Sequence, residues 1–156
     1  MIARSPVTTA VKKLLEDLTG YPVGVRTVPM DPTTGNPLPP PYTLLYPLDH
    51  GSDDNTLADR HSAAMSEYQA TFVSGKRPTQ TGSTGRDEEA QWLADRGRKV
   101  VERPADGSPG YEHPLTIPGV GCYRREAREA GGTQNAEDAI ITSVIRFRFF
   151  LQETGA

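Results

Sequence analysis

The chain of 156 residues holds a single cysteine, Cys122, so no disulfide can form within it and no covalent staple supports the fold. No apolar run approaches the ~20 residues that a membrane-spanning helix needs. The N-terminal residues Met1 to Pro6 lack the apolar stretch of a signal peptide. Positive charge is short as well. With a net charge of -3 the sequence argues against general nucleic-acid binding, which needs a basic face to displace counterions. Hydrophobic residues make up only 35%, a lean supply for one domain of this length. What the chain has in quantity is proline (14) and glycine (15), which commits a good share of it to loops.

Between the loops the pattern is readable. Ser5-Pro6 is a helix-start signal, with serine as N-cap and proline at the first helical position. Val7, Ala10, Val11, Leu14, Leu15 and Leu18 then form one apolar stripe, and Gly20 with Pro22 stops the helix. Residues 23–28 alternate and predict a strand. The proline-rich run 29–41, with Thr34-Gly35-Asn36 as a turn, predicts an extended, polyproline-like loop. Residues 42–48 predict a second strand, and the polar run 49–64 an exposed loop with a short helical turn near 57–64. Residues 67–74 predict a third strand, followed by a Thr/Gly/Ser-rich loop at 76–86. Asp87-Glu88-Glu89 opens a second helix, its acids suited to the positive helix end. Ala90, Leu93, Ala94 and Gly97 form its inner stripe, and Arg96, Arg98 and Lys99 suit its C-terminal end. After an irregular stretch at 104–118, residues 120–127 predict a strand that Gly131-Gly132 breaks. Residues 139–152 predict the longest strand, with Ile145, Phe147, Phe149 and Leu151 on one face and Arg146, Arg148 and Phe150 on the other. The expected fold is α+β: one domain over 1–156, a mostly antiparallel sheet with two helices packed on one face, and long projecting loops.

Catalytic signatures are thin. Residues 49–61 gather Asp49, His50, Asp53, Asp54, Asp59 and His61, donors that suit zinc or manganese, but their spacing matches no ligand frame and reads as a solvated loop. Gly82-Ser83-Thr84-Gly85-Arg86 precedes a helix, yet lacks the lysine and spacing of a phosphate-binding loop. Nothing positions Cys122 beside His113 as a nucleophile and base. The expectation is no catalytic residue, no metal and no cofactor. Trp92 and Tyr68 read as core or interface aromatics. Arg124, Arg125, Arg146 and Arg148 alternate with apolar positions, which fits either a solvated sheet face with partners such as Glu126 or a charged surface between subunits.

Taken in order, several segments resemble the tail terminator proteins of long-tailed bacteriophages. They are the N-terminal helix ending in Thr19-Gly20-Tyr21-Pro22-Val23, the Tyr42-Thr43-Leu44-Leu45-Tyr46 and Tyr68-Gln69-Ala70-Thr71-Phe72-Val73 strands, the helix carrying Gln91-Trp92-Leu93-Ala94, and the closing strand of Phe and Arg. The resemblance implies a non-enzymatic virion protein of the phage tail or neck, made in the host cytoplasm. It would form a homo-oligomer, a hexameric ring that caps the tail tube, ends tube polymerisation and docks to the head–tail connector. Its partners would be the tail-tube protein, the connector proteins and DNA passing through the lumen without specific binding, with no membrane involved. Loops 29–41, 49–65 and 76–86 are the expected contact segments. Asp53, Asp54 and Asp59 are candidates for the lumen, and Lys76, Arg77, Arg86, Arg146 and Arg148 for interface positions. The competing readings are another neck ring protein, a small metal-dependent enzyme using residues 49–61, and a ligand-binding module.

Overall fold

A computed structural model of the chain describes residues 1–53, 62–75, 87–132, 134–135 and 140–154. Helix α1 (Arg4–Thr19) is followed by strands β1 (Val23–Val25), β2 (Tyr42–Asp53) and β3 (Ala63–Ser74). Helix α2 (Asp87–Arg98) continues into a single 3-10 turn (Lys99–Val101). Strands β4 (Val120–Glu129), β5 (Gln134–Asn135) and β6 (Ile140–Glu153) complete the chain. The sheet order is β1-β2-β3-β6-β4, with β5 also paired to β6. β1 runs parallel to its neighbour, and the other pairings among the described residues are antiparallel. The α+β class and the single two-helix layer are therefore as the periodicities require.

One face of the sheet is sealed by both helices. Along β3 and β6 the register sets Ala64 opposite Leu151, Ser66 opposite Phe149, Tyr68 opposite Phe147 and Ala70 opposite Ile145, all inward. Onto them α1 lays Val7, Val11, Leu14, Leu15 and Leu18, and α2 adds Leu93 and Ala94. Phe72, Phe147 and Phe149 are fully buried, each contributing about 1.5–3 kcal/mol by leaving water. Thr8 Oγ1 and the Tyr68 hydroxyl share a 2.9 Å hydrogen bond, tying α1 to the middle of β3. Gly97 sets α2 against Phe72 so closely that a Cβ there would lie 2.8 Å from Cε1 of the ring. Arg96 Nε donates to the Leu18 carbonyl at 2.9 Å, satisfying an acceptor that the end of α1 leaves open and joining the two helices.

Several boundaries differ from the sequence reading. Helix α1 begins at Arg4, with Ala3 as N-cap and no side-chain cap, so Ser5 lies inside it. Buried Ile2, whose carbonyl receives His50 Nε2 at 2.8 Å, fixes the chain's entry ahead of the Ser-Pro signal. Strand β1 stops at Val25 because Arg26 adopts φ 63 and turns, its N–H donating to the Leu45 carbonyl at 3.0 Å. The 29–41 run is a small folded loop: Met30 bridges Pro37, and Gly35 N–H returns to the Asp31 carbonyl at 2.8 Å. Strands β2 and β3 extend five and two residues into the 49–64 segment read as loop, so His50 to Asp53 pair with Ala63 to Ser66. Residues 57–61 of the expected helical turn lie outside the described residues, and Ala63 and Ala64 are strand.

Two bulges make this possible. β2 shifts register between Pro47 and His50, and β4 between Cys122 and Arg124. Each extra residue reverses the alternation, so that on either side of it the correct side chains point inward.

Candidate interaction surface

Of the two histidines in 49–61, His50 lies among the described residues and His61 outside them. The bulge turns the His50 imidazole inward, where Nδ1 meets Ser66 Oγ at 2.6 Å and Nε2 meets the Ile2 carbonyl at 2.8 Å. Both ring nitrogens are engaged in holding the start of α1 to the sheet, which leaves none for a metal. Among the described residues no group of three or more His, Cys, Asp or Glu could hold an ion.

Asp53 ends β2, in register with Ala63. Asp54, Asp59, Lys76, Arg77 and Arg86 lie outside the described residues. Arg146 and Arg148 are where the alternation puts them: exposed on β6, on the face that neither helix covers.

That bare face has a definite chemistry. Its β3, β6 and β4 positions carry Glu67, Gln69, Arg146, Arg148, Phe150, Arg124, Glu126 and Arg128. Arg148 Nε lies 3.5 Å from Glu67 Oε2, and Arg124 Nη2 lies 2.7 Å from Glu126 Oε1. The Arg124 guanidinium sits 5.4 Å over the Phe150 ring, and Tyr123, 60% exposed at the bulge, tilts against the same ring at 6.3 Å. Arg128 and Arg146 stand directly opposite each other in the β4–β6 register. Both are exposed, and among the described residues neither makes an ion pair. Like charges directly opposite across a ladder oppose folding, so this pair is a local cost that no ion pair among the described residues offsets.

Arg125, one residue from this face, does something else. The bulge points it inward, and it is nearly fully buried. Nη1 donates to the carbonyls of Val100 at 2.9 Å and His113 at 2.7 Å. Its backbone N–H donates to the Tyr111 hydroxyl at 2.7 Å, while Tyr111 lies between the guanidiniums of Arg125 (4.6 Å) and Arg103 (4.1 Å). Arg125 therefore fastens the 102–118 segment to the sheet rather than forming part of a surface. Alternation sets Arg124 and Arg125 on opposite faces, but counted from inward Cys122 it would turn Arg124 inward; the bulge between Cys122 and Arg124 reverses that.

Cys122 is half-buried beside Leu151; burial pushes its thiol pKa up, with Arg125 opposing, so it is a poor nucleophile. On the opposite side of the domain, α2 presents Glu88, Trp92 and Asp95 at i, i+4 and i+7, one outward stripe. Trp92 remains 49% exposed although Tyr21 packs edge-on at 6.3 Å and Arg96 stacks at 5.8 Å. Beside it lies a cleft of about 290 Å³ whose described lining is Tyr21, Glu88, Glu89 and Trp92. Tyr68 is core, as one branch of the sequence reading had it; Trp92 is the exposed aromatic.

No protein-family model matches the chain, and no curated protein matches it. Among the described residues no helix is long and apolar enough to cross a membrane.

Proposed function

We propose that the protein is a ring-forming structural subunit of a bacteriophage tail, the tail terminator that caps the tube and receives the head connector. The reading rests on the resemblance in the order of elements and on one structural observation. The bare sheet face is charged, carries exposed Tyr123 beside half-buried Phe150, and holds the Arg128–Arg146 pair, which makes no ion pair among the described residues. A surface of that kind is suited to contact with another polypeptide, since arginine and aromatic side chains concentrate at interfaces. The virion would be its place of action, with the tail-tube protein below it and the connector proteins above. No catalytic step is assigned to it.

The test is native mass spectrometry of the purified chain with negative-stain imaging of the same sample, alone and with tail-tube protein. Six-subunit rings with a central hole, and tubes whose growth stops on adding the chain, are the expected results. A chain that stays monomeric in both samples and leaves tube length unchanged overturns the reading. Rings that form but do not arrest tube growth move the protein to another ring of the neck.

A further inference from the structure

Resting on that ring reading, we infer that the contact between neighbouring subunits is made by the bare sheet face of one copy, through Arg128 and Arg146, against the α2 stripe Glu88–Trp92–Asp95 of the next. The two surfaces are complementary in charge. The sheet face carries four arginines against Glu67 and Glu126, within a chain whose net charge is -3, so the acid excess lies elsewhere. On α2 the exposed carboxylates of Glu88 and Asp95 flank Trp92, and among the described residues neither makes an ion pair. The two carboxylates offer an incoming guanidinium charge-assisted hydrogen bonds, and Trp92, 49% exposed although Arg96 stacks on it at 5.8 Å, offers aromatic surface beside them. Arg128 and Arg146 make no ion pair among the described residues, and the repulsion between them is relieved when carboxylates approach.

The placement also suits a ring. The arginines lie on the outer side of the sheet layer and the α2 stripe on the outer side of the helix layer, so the two patches face opposite ways on one domain. Contacts between different patches of identical subunits are head-to-tail, and they close into a ring when the rotation per subunit allows. A two-fold dimer would need one patch to meet itself, and arginine against arginine forbids that.

The experiment uses two full-length variants, Arg128→Glu/Arg146→Glu and Glu88→Arg/Asp95→Arg, each checked for wild-type circular dichroism and melting. Wild-type and variants are compared by native mass spectrometry and sedimentation, and then the two variants are mixed. Each variant alone sets like charges against one another and should associate roughly a hundredfold more weakly than wild type. The mixture restores one favourable contact of each kind, so rings of alternating variants should reappear. Variants that each assemble like wild type overturn this interface and leave the ring reading standing. Variants that fail singly and also fail when mixed overturn the pairing of these two patches. A wild-type chain that never assembles, with or without tube protein, removes both. Oligonucleotide binding that the arginine variant loses while its rings persist would reassign the sheet face to nucleic acid.

Discussion

Replacing Gly97 with alanine sets two well-known effects against each other at one position. In an exposed helix interior the change stabilises by about 1 kcal/mol, through helix propensity and a less free unfolded chain. At position 97 the new methyl would sit 2.8 Å from Cε1 of Phe72, 3.3 Å from Cε2, and closer still to Cζ. Carbon atoms prefer ~3.5–4.0 Å, so α2 must lift by about 1 Å or the ring must rotate out of a site where it is fully buried. Overpacking of a close-packed core costs about 1–3 kcal/mol, and a contact this short with a rigid ring belongs in the upper half of that range. The net expectation is destabilisation by about 1–2 kcal/mol, which for a domain of this size lowers the melting temperature by roughly 3–6 °C. Urea unfolding gives the free energy, and a double-mutant cycle gives the cause. Phe72→Leu alone costs about 1–2 kcal/mol through the space it leaves. In that background Gly97→Ala should be neutral or stabilising, a coupling of about 1–2 kcal/mol. If Gly97→Ala instead raises the urea midpoint in the wild-type background, the close approach of α2 to β3 is wrong.

Three further outcomes are expected. Arg125→Met keeps the apolar stem but abandons the Val100 and His113 carbonyls, so it should cost about 2–4 kcal/mol and open residues 102–118 to limited proteolysis; an unchanged midpoint and an unchanged digest would refute the clasp. His50→Ala removes the ties to Ser66 and the Ile2 carbonyl and should lower stability by about 1–2 kcal/mol in urea, whereas a neutral change would mean that the imidazole is not holding α1. Because burial raises the Cys122 pKa, little thiolate exists at pH 8, so an aromatic disulfide reagent should react at least about tenfold more slowly with the native chain than with the urea-unfolded chain, and equal rates would contradict that environment.

What the sequence disclosed follows from the range of the interactions concerned. The α1 stripe and the inward row Ile145, Phe147, Phe149 and Leu151 repeat within a few residues, and every one of these side chains is buried except Ala10, which is half-buried at the edge of the stripe. The outward placement of Arg146 and Arg148 came from the same alternation. The length of the β2–β3 pair did not, because His50, Gly51 and Ser52 have loop composition and are strand only by their pairing with residues 64–66. The opposition of Arg128 to Arg146 depends on a β4–β6 register that no local pattern encodes. Arg125 was legible as a strand arginine, but its carbonyl partners are 25 and 12 residues away, so its burial was not. The α2 stripe was visible only from its inner side: Ala90, Leu93 and Ala94 marked the core, and what remained outward on Trp92 needed the tertiary packing of Tyr21 and Arg96 to be seen.

The extra residue in β4 works like a frame shift in a two-letter script. Downstream of Tyr123 the strand reads out-in-out, with Arg124 facing solvent and Arg125 the carbonyls it clasps; upstream, Cys122 is again in. Removing one residue there would leave composition and strand propensity almost untouched, yet it would exchange inside for outside along part of the strand. Either Cys122 would be expelled from its place beside Leu151, or Arg125 would be carried out of the interior and Arg124 into it. A chain of this design tolerates many substitutions on β4 more readily than a single deletion, and lengths of related chains should be held constant across this strand even where their residues are not.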